Sequence, residues 1–129
     1  MGSIAQTYAQ FNEVLEDKLS TTNATITDCI SISVPVNRSL FVYCEFRGAK
    51  TDYTEALGGY LSATFRRGSS GNIIQVGTTQ TTFNKSTGLI TCDVQVNLDN
   101  SNYLIKLQVK GKTSTNIDWS MKVNYIINE

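Results

Sequence analysis

The chain has 129 residues, enough for one domain with its own hydrophobic core. Lysine plus arginine and aspartate plus glutamate number 11 each, so the formal net charge is zero, and we expect neither nucleic acid nor an anionic membrane as a partner. Serine, threonine and asparagine make up roughly 30% of the chain, a composition typical of β-proteins with polar surfaces. Without a long apolar run or a basic-then-apolar N-terminal segment, we expect neither membrane insertion nor secretion.

The first segment has apolar residues at helical spacing. Ile4, Tyr8, Phe11 and Leu15 are four, three and four residues apart, which predicts an apolar stripe on a helix over residues 4–19 and a short heptad seam. A helix this short is marginal alone in water, so its stripe must be buried against something. We predict a helical leader at residues 1–21 that joins the protein to itself or to a particle. A helix folded back on its own sheet is the alternative.

From Asn23 onward the apolar residues alternate, which is the period of a β-strand. Glycine, serine and asparagine clusters separate the alternating runs, and no helical segment lies between them. The pattern predicts a mainly β domain over residues 22–129, an antiparallel β-sandwich or jelly roll of seven or eight strands. The predicted strands cover residues 25–36, 39–47, 59–67, 73–77 with 81–83, 89–96, 103–109 and 117–127.

Three cysteines, an odd number, argue against a closed disulfide framework. Cys44 and Cys92 alternate with apolar neighbours, so we predict that both are buried and reduced. Cys29 falls opposite the apolar face of its strand, so we expect it to be less buried. This pattern is typical of a protein made in a reducing cytoplasm.

The sequence has few of the residues and motifs that form catalytic sites. There is no histidine, which removes the usual nucleophilic triads and histidine metal ligands, and no phosphate-binding loop or zinc spacing is present. Paired carboxylates remain among Glu45, Asp93, Asp52 and Glu55, but solvated carboxylates are more common than catalytic pairs. The turn that begins at Asp99 has oxygen atoms of the kind that bind calcium, but it lacks the residue spacing of a calcium-binding loop, so a plain turn is the favoured interpretation. We predict no enzymatic activity, no cofactor and no metal.

Four residues near one loop are the candidate ligand contacts. Asp52, Tyr53, Glu55 and Tyr60 combine aromatic rings with polar groups, which can stack on a sugar and hydrogen-bond to it, although ordinary loop packing explains them too. Trp119 alternates with apolar residues, so we interpret it as a core or inter-subunit aromatic.

Segments of the C-terminal part resemble bacteriophage structural proteins. The resemblance rests on GYLSATFR at residues 59–66 with IQVG at 74–77, and on LQVKG at 107–111 with NIDW at 116–119 and an apolar strand after it. With the Thr/Ala-rich opening at 22–25, it covers about residues 22–127. It implies a β-sandwich domain of a fibre, tail component or head decoration, often trimeric and made in the host cytoplasm. No functional residue is carried over, because the shared pattern marks core and turns.

Two functions follow as hypotheses. The first is a non-enzymatic structural component of a phage virion, a head decoration, head fibre or tail-fibre domain, which forms a homotrimer and attaches to other virion proteins. The alternative is a carbohydrate-binding, lectin-like module that recognises a host surface glycan.

Overall fold

The computed structural model describes residues 12–128, which form eight antiparallel strands in two sheets. The five-stranded sheet has the order β1-β8-β3-β4-β5, and the three-stranded sheet has the order β2-β7-β6. The predicted sandwich is therefore confirmed. The strands are β1 (Asn12–Thr21), β2 (Ile26–Ser33), β3 (Arg38–Lys50), β4 (Ala56–Arg67), β5 (Ile74–Lys85), β6 (Asp93–Asp99), β7 (Leu104–Lys110) and β8 (Ile117–Asn128), with a short 3-10 helix at Thr87–Leu89.

Over residues 12–128 the structure contains no α-helix, and the predicted N-terminal helix is wrong from Asn12 onward. These residues form β1, which pairs with β8 from Asn12 to Thr21. Leu15 and Leu19 are four residues apart, a spacing that fits one face of a strand as well as one face of a helix. Pairing with β8 decides between them, because it places both leucines against the core. Ile4, Tyr8 and Phe11 lie outside the described residues. Within residues 12–128, no helix is long and apolar enough to cross a membrane.

The core lies between the two sheets and is made by alternate residues of each strand. In β3 the buried residues are Leu40, Val42, Cys44 and Phe46, each flanked by outward-facing neighbours. The same alternation in β4, β8, β2 and β7 closes the sandwich, and a residue that points away from this core on one of these strands therefore lies on an outer face. The other buried apolar residues on those four strands are Leu57, Leu61, Ala63, Phe65, Ile117, Trp119, Met121, Val123, Ile30, Ile32, Ile105, Leu107 and Val109.

Trp119 is the largest buried side chain, and only 1% of its surface is exposed. Its indole Nε1 donates a hydrogen bond of 2.9 Å to Oγ1 of Thr21, at the end of β1. Gly48 lies beside it in β3, where a Cβ would come within 3.0 Å of the indole ring. Trp119 is thus a core residue, as one of its two predicted roles required, and it ties β1 to the centre of the sheet.

The three cysteines are free thiols in the structure. Cys44 and Cys92 are buried, which confirms the predicted burial, and their reduced state stays a prediction. Burial raises the pKa of Cys44 to about 12 and the pKa of Cys29 to about 11. Cys29 is only half-buried, also as expected, and it occupies a bulge where the pairing of β2 with β7 shifts register.

Candidate interaction surface

The outer face of the five-stranded sheet carries exposed apolar or aromatic residues on all five strands. Phe41 on β3 pairs with Ile126 on β8 and with Thr64 on β4, and Thr64 pairs in turn with Val76 on β5. Phe41 is 43% exposed, Ile126 42% and Val76 48%. Val14 on β1 and Ile74 on β5 lie in the adjacent outward rows, one on either side of this row. We call these five residues the apolar patch: Val14, Phe41, Ile74, Val76 and Ile126.

Two tyrosines continue the same face. Tyr43 is paired with Ser62, and Tyr60 with Glu45, so the two rings are diagonal neighbours on β3 and β4. Their ring centroids are 5.6 Å apart at an interplanar angle of 26°, a stacked arrangement. Tyr60 is among the large exposed side chains of the domain, so its ring is accessible to a ligand.

A groove of about 720 Å³ crosses the strands next to these tyrosines. Its floor is a row of paired residues on four neighbouring strands, Asp17, Met121, Phe46 and Gly59. Because the side chains of Met121 and Phe46 are buried in the core, these residues present only backbone to the groove. The groove therefore runs across the sheet, at right angles to the strands.

Charged side chains form both walls of this transverse groove. Glu16, Lys122 and Glu45 are paired across β1, β8 and β3 and form one wall, and the opposite wall is the next outward row, made of Lys18, Ser120 and Arg47. Within residues 12–128 no ion pair joins any of these charged side chains to a partner; the ion pairs there involve other residues. Their charged atoms are therefore available to a ligand. At β4 the second wall stops, because Gly58 follows Arg47 in that row.

The outer face of the three-stranded sheet is polar and bonded to itself. Gln95 Nε2 donates to Gln108 Oε1 at 2.8 Å, and Gln108 Nε2 donates to Asp28 Oδ1 at 2.8 Å, so one chain of hydrogen bonds crosses three strands. Lys106 Nζ lies 3.3 Å from Asp28 and 3.4 Å from Asp99. The hydrogen bond from Gln108, followed by Lys106, lowers the pKa of Asp28. These five side chains form a structural network in which each already has a partner.

The predicted ligand loop is placed between β3 and β4, but one member lies elsewhere. Lys50 Nζ lies 4.0 Å from Asp52 and 3.5 Å from Glu55, and Tyr53 is 82% exposed at the tip. Asp52 also accepts hydrogen bonds from the backbone and the hydroxyl of Thr54. Tyr60 points outward from β4, four residues after the pair that closes the hairpin, or about 13 Å along the strand. The structure therefore separates Tyr60 from the other three residues.

Two further features of the sequence serve the fold. Arg67 donates to the carbonyls of Gly71 and Val34 and lies 3.7 Å over the Tyr103 ring, so it fastens the turn after β4. The Asp99 carboxylate accepts from the backbone of Ser101, within a closed turn. No group of three metal-ligating side chains occurs in residues 12–128.

Sequence reasoning missed the apolar patch and the transverse groove. The available signal was residues 40–44, Leu-Phe-Val-Tyr-Cys, where both faces of a strand are apolar although only one can face a two-layer core. The partners of Phe41, however, come from strands far along the chain, and one sequence does not show which strands pair.

Comparisons with known proteins give no family. No protein-family model and no curated protein matches the chain. Among solved structures, the Acinetobacter baumannii phage AM24 tailspike protein has a TM-score of 0.46 and 9% identity, covering 94% of this chain and 27% of that protein. The tailspike protein gp49 of Acinetobacter baumannii bacteriophage Fri1, a capsular polysaccharide depolymerase, has a TM-score of 0.42 and 14% identity, covering 88% and 17%. The chain thus spans a small part of either protein, and similarity at this level does not bear on function.

Proposed function

We propose that this chain is a non-enzymatic structural domain of a bacteriophage virion, which assembles with copies of itself and with other virion proteins through the apolar patch. The observation that carries the proposal is the row of Ile126, Phe41 and Val76 across the outer face of the five-stranded sheet. A row of exposed apolar side chains, here interrupted only by Thr64 between Phe41 and Val76, is typical of a protein interface.

Burial of the apolar patch supplies part of the energy that association requires. Full burial of a large apolar side chain is worth about 1.5–3 kcal/mol, and the five residues of the apolar patch are about half exposed. Covering them would therefore contribute on the order of 5 kcal/mol before the entropy of association is subtracted.

The area also fits a protein partner. Five strands at a spacing of about 4.8 Å, each about ten residues long, present roughly 800 Å², of which the half that carries the apolar patch is roughly 400 Å². That half corresponds to a small interface, since each partner contributes about 800 Å² to one of standard size. A second sheet is a suitable occupant because two β-sheets pack face to face readily.

The phage assignment is supported by the sequence resemblance over about residues 22–127, which also implies three copies. The zero net charge supports self-association, because copies of the chain do not repel one another. An assembly role for Ile4, Tyr8 and Phe11 stays a prediction. Leu15, the fourth residue of that set, packs against the core of its own domain.

Light scattering over a concentration series tests the assembly. We expect a homotrimer for the unaltered protein and a monomer for the double variant Phe41→Thr/Ile126→Thr, because threonine retains strand propensity while the apolar surface is lost. Ile90→Thr is the matched control, since Ile90 is exposed outside the strands. A strict monomer at high concentration, or a double variant that associates like the control, would refute the proposed interface. Mass spectrometry of purified phage particles tests the virion assignment separately.

For the carbohydrate-binding alternative, the loop of Asp52, Tyr53 and Glu55 stays a prediction, and Tyr60 lies away from it on β4. A different surface, the transverse groove, favours glycan binding.

A further inference from the structure

We propose that the transverse groove binds a neutral, hydroxyl-rich oligosaccharide, with Tyr60 as a stacking platform at one end. This inference goes beyond assembly and does not depend on it. The apolar patch occupies one half of the outer face, whereas the groove occupies the other half, towards Arg47 and Lys18.

The shape of the groove suits an extended ligand. It crosses β1, β8, β3 and β4, which is three strand spacings or about 14 Å. Its volume of about 720 Å³ lies within the range of ligand sites. Gly58 leaves the groove open on one side at β4, so a chain of sugar rings can extend out of it beside Tyr60.

The functional groups on the walls suit hydroxyls. A sugar hydroxyl both donates and accepts hydrogen bonds, so a site for it needs donors and acceptors side by side. Glu16 and Glu45 supply carboxylate acceptors, and Lys122 between them supplies a donor. Lys18 and Arg47 supply donors from the opposite wall, where they are not held by ion pairs within the described chain.

The distribution of charge on the two walls favours a neutral glycan over an anionic one. The wall of Glu16, Lys122 and Glu45 has a formal charge of −1, and the opposite wall, with Lys18 and Arg47, has a formal charge of +2. Asp17 does not contribute, because its side chain lies on the same face of β1 as Leu15 and Leu19. A polyanion would gain attraction from one wall and repulsion from the other. A neutral polyhydroxylated chain has no such conflict and can bond to both walls.

A peptide fits this groove less well. The floor is backbone that is already paired within the sheet, so it offers no unpaired ladder groups to an added strand. Phe46 and Met121 turn their side chains into the core, so the floor provides no apolar pocket for a peptide side chain. The exposed aromatic surface lies at the end of the groove, where Tyr60 is stacked on Tyr43 and offers a flat ring to a sugar.

The test uses the full chain on an array of neutral oligosaccharides of glucose, galactose, mannose and N-acetylhexosamine, together with uronic-acid and sulfated counterparts. We expect binding to neutral members, followed by titration calorimetry with the best of them. Glu45→Gln and Tyr60→Ala should each weaken that binding by about tenfold, because each removes a charged hydrogen bond or a stacking surface.

Two control variants match these changes outside the groove. Glu13→Gln removes an exposed carboxylate of β1 that faces away from the groove, and Tyr53→Asn removes the exposed ring at the hairpin tip. Asparagine is chosen because Tyr53 has φ of 59°, a conformation that asparagine tolerates. Both controls should bind the neutral glycan like the unaltered protein, and urea unfolding verifies that all four variants fold.

Three results would overturn the proposal: no neutral glycan is bound, only acidic glycans are bound with an affinity that falls steeply with salt, or Glu45→Gln and Tyr60→Ala bind as tightly as their controls. The assembly test is separate. A Phe41→Thr/Ile126→Thr variant that is monomeric and still binds glycan supports both proposals. The groove variants Glu45→Gln and Tyr60→Ala should lose glycan binding and keep the oligomeric state of the unaltered protein.

Discussion

The hydrogen bond from Trp119 to Thr21 allows a direct test of the first strand. Thr21→Val retains the shape of the side chain but removes the only hydrogen-bond acceptor that the structure gives to Trp119 Nε1. Both residues are buried, at 1% and 6% exposure, so water cannot replace the lost partner. Leaving a buried donor unsatisfied costs about 1–3 kcal/mol, and we expect the free energy of unfolding to fall by that amount.

Urea unfolding, followed by the fluorescence of the single tryptophan, measures this effect at a fixed protein concentration. With a slope of about 2 kcal/mol per molar urea, a loss of about 2 kcal/mol lowers the midpoint by about 1 M. Thr22→Val is the control, because Thr22 is the next residue and is exposed. In a Trp119→Phe background, followed by circular dichroism, Thr21→Val should cost less, because the indole donor is gone.

If Thr21→Val and Thr22→Val unfold at the same midpoint, β1 does not lie against Trp119 as the structure places it. The hypothesis of a helix over residues 4–19 would then have to be tested again. A large loss in Thr21→Val that persists in the Trp119→Phe background would show that packing, and not the hydrogen bond, is responsible.

Three further predictions concern the rest of the sandwich. Cys44, with its pKa raised to about 12 by burial, should resist a thiol reagent at pH 8 in the native protein and react once urea unfolds it; rapid native labelling would contradict its burial. The pKa of Asp28 is lowered from 3.8, so its contribution to stability is present above that value and is lost as pH falls through the lowered pKa; NMR titration of Gln108→Met should show that pKa rising, and an unchanged value would contradict the hydrogen bond. Gly59→Ala should lower the urea midpoint, because the added Cβ meets the Thr82 carbonyl; an unchanged midpoint would show that β5 can shift.

The parts of the fold predicted well are those encoded by local alternation. Leu40, Val42, Cys44 and Phe46 alternate without interruption, so their strand and its buried face follow from the sequence. β1 lacks this regularity, because Asp17 lies between Leu15 and Leu19 on the same side of the strand. Only the pairing with β8 shows which structure the segment adopts.

The candidate surface could not be derived in the same way. Phe41, Ile126 and Val76 are unremarkable exposed residues when each is considered alone, and they become a row only through the register of four strands. Tyr60 is close to Glu55 in sequence, but on the sheet its neighbour is Tyr43, against which its ring stacks. Strand alternation is compatible with an outward position for these residues but does not identify their neighbours.

The position of β8 has a consequence for how the domain is made. It lies between β1 and β3, so the earliest and latest described strands must meet before the five-stranded sheet is continuous. During translation, β1 has no partner strand in its sheet until β8 leaves the ribosome. Until then, the edge of β3 that will pair with β8 stays unpaired. Such late pairing raises the contact order and slows folding. We therefore expect nascent chains that stall before residue 117 to be aggregation-prone and protease-sensitive, because Leu15, Leu19 and the unpaired edge of β3 stay uncovered.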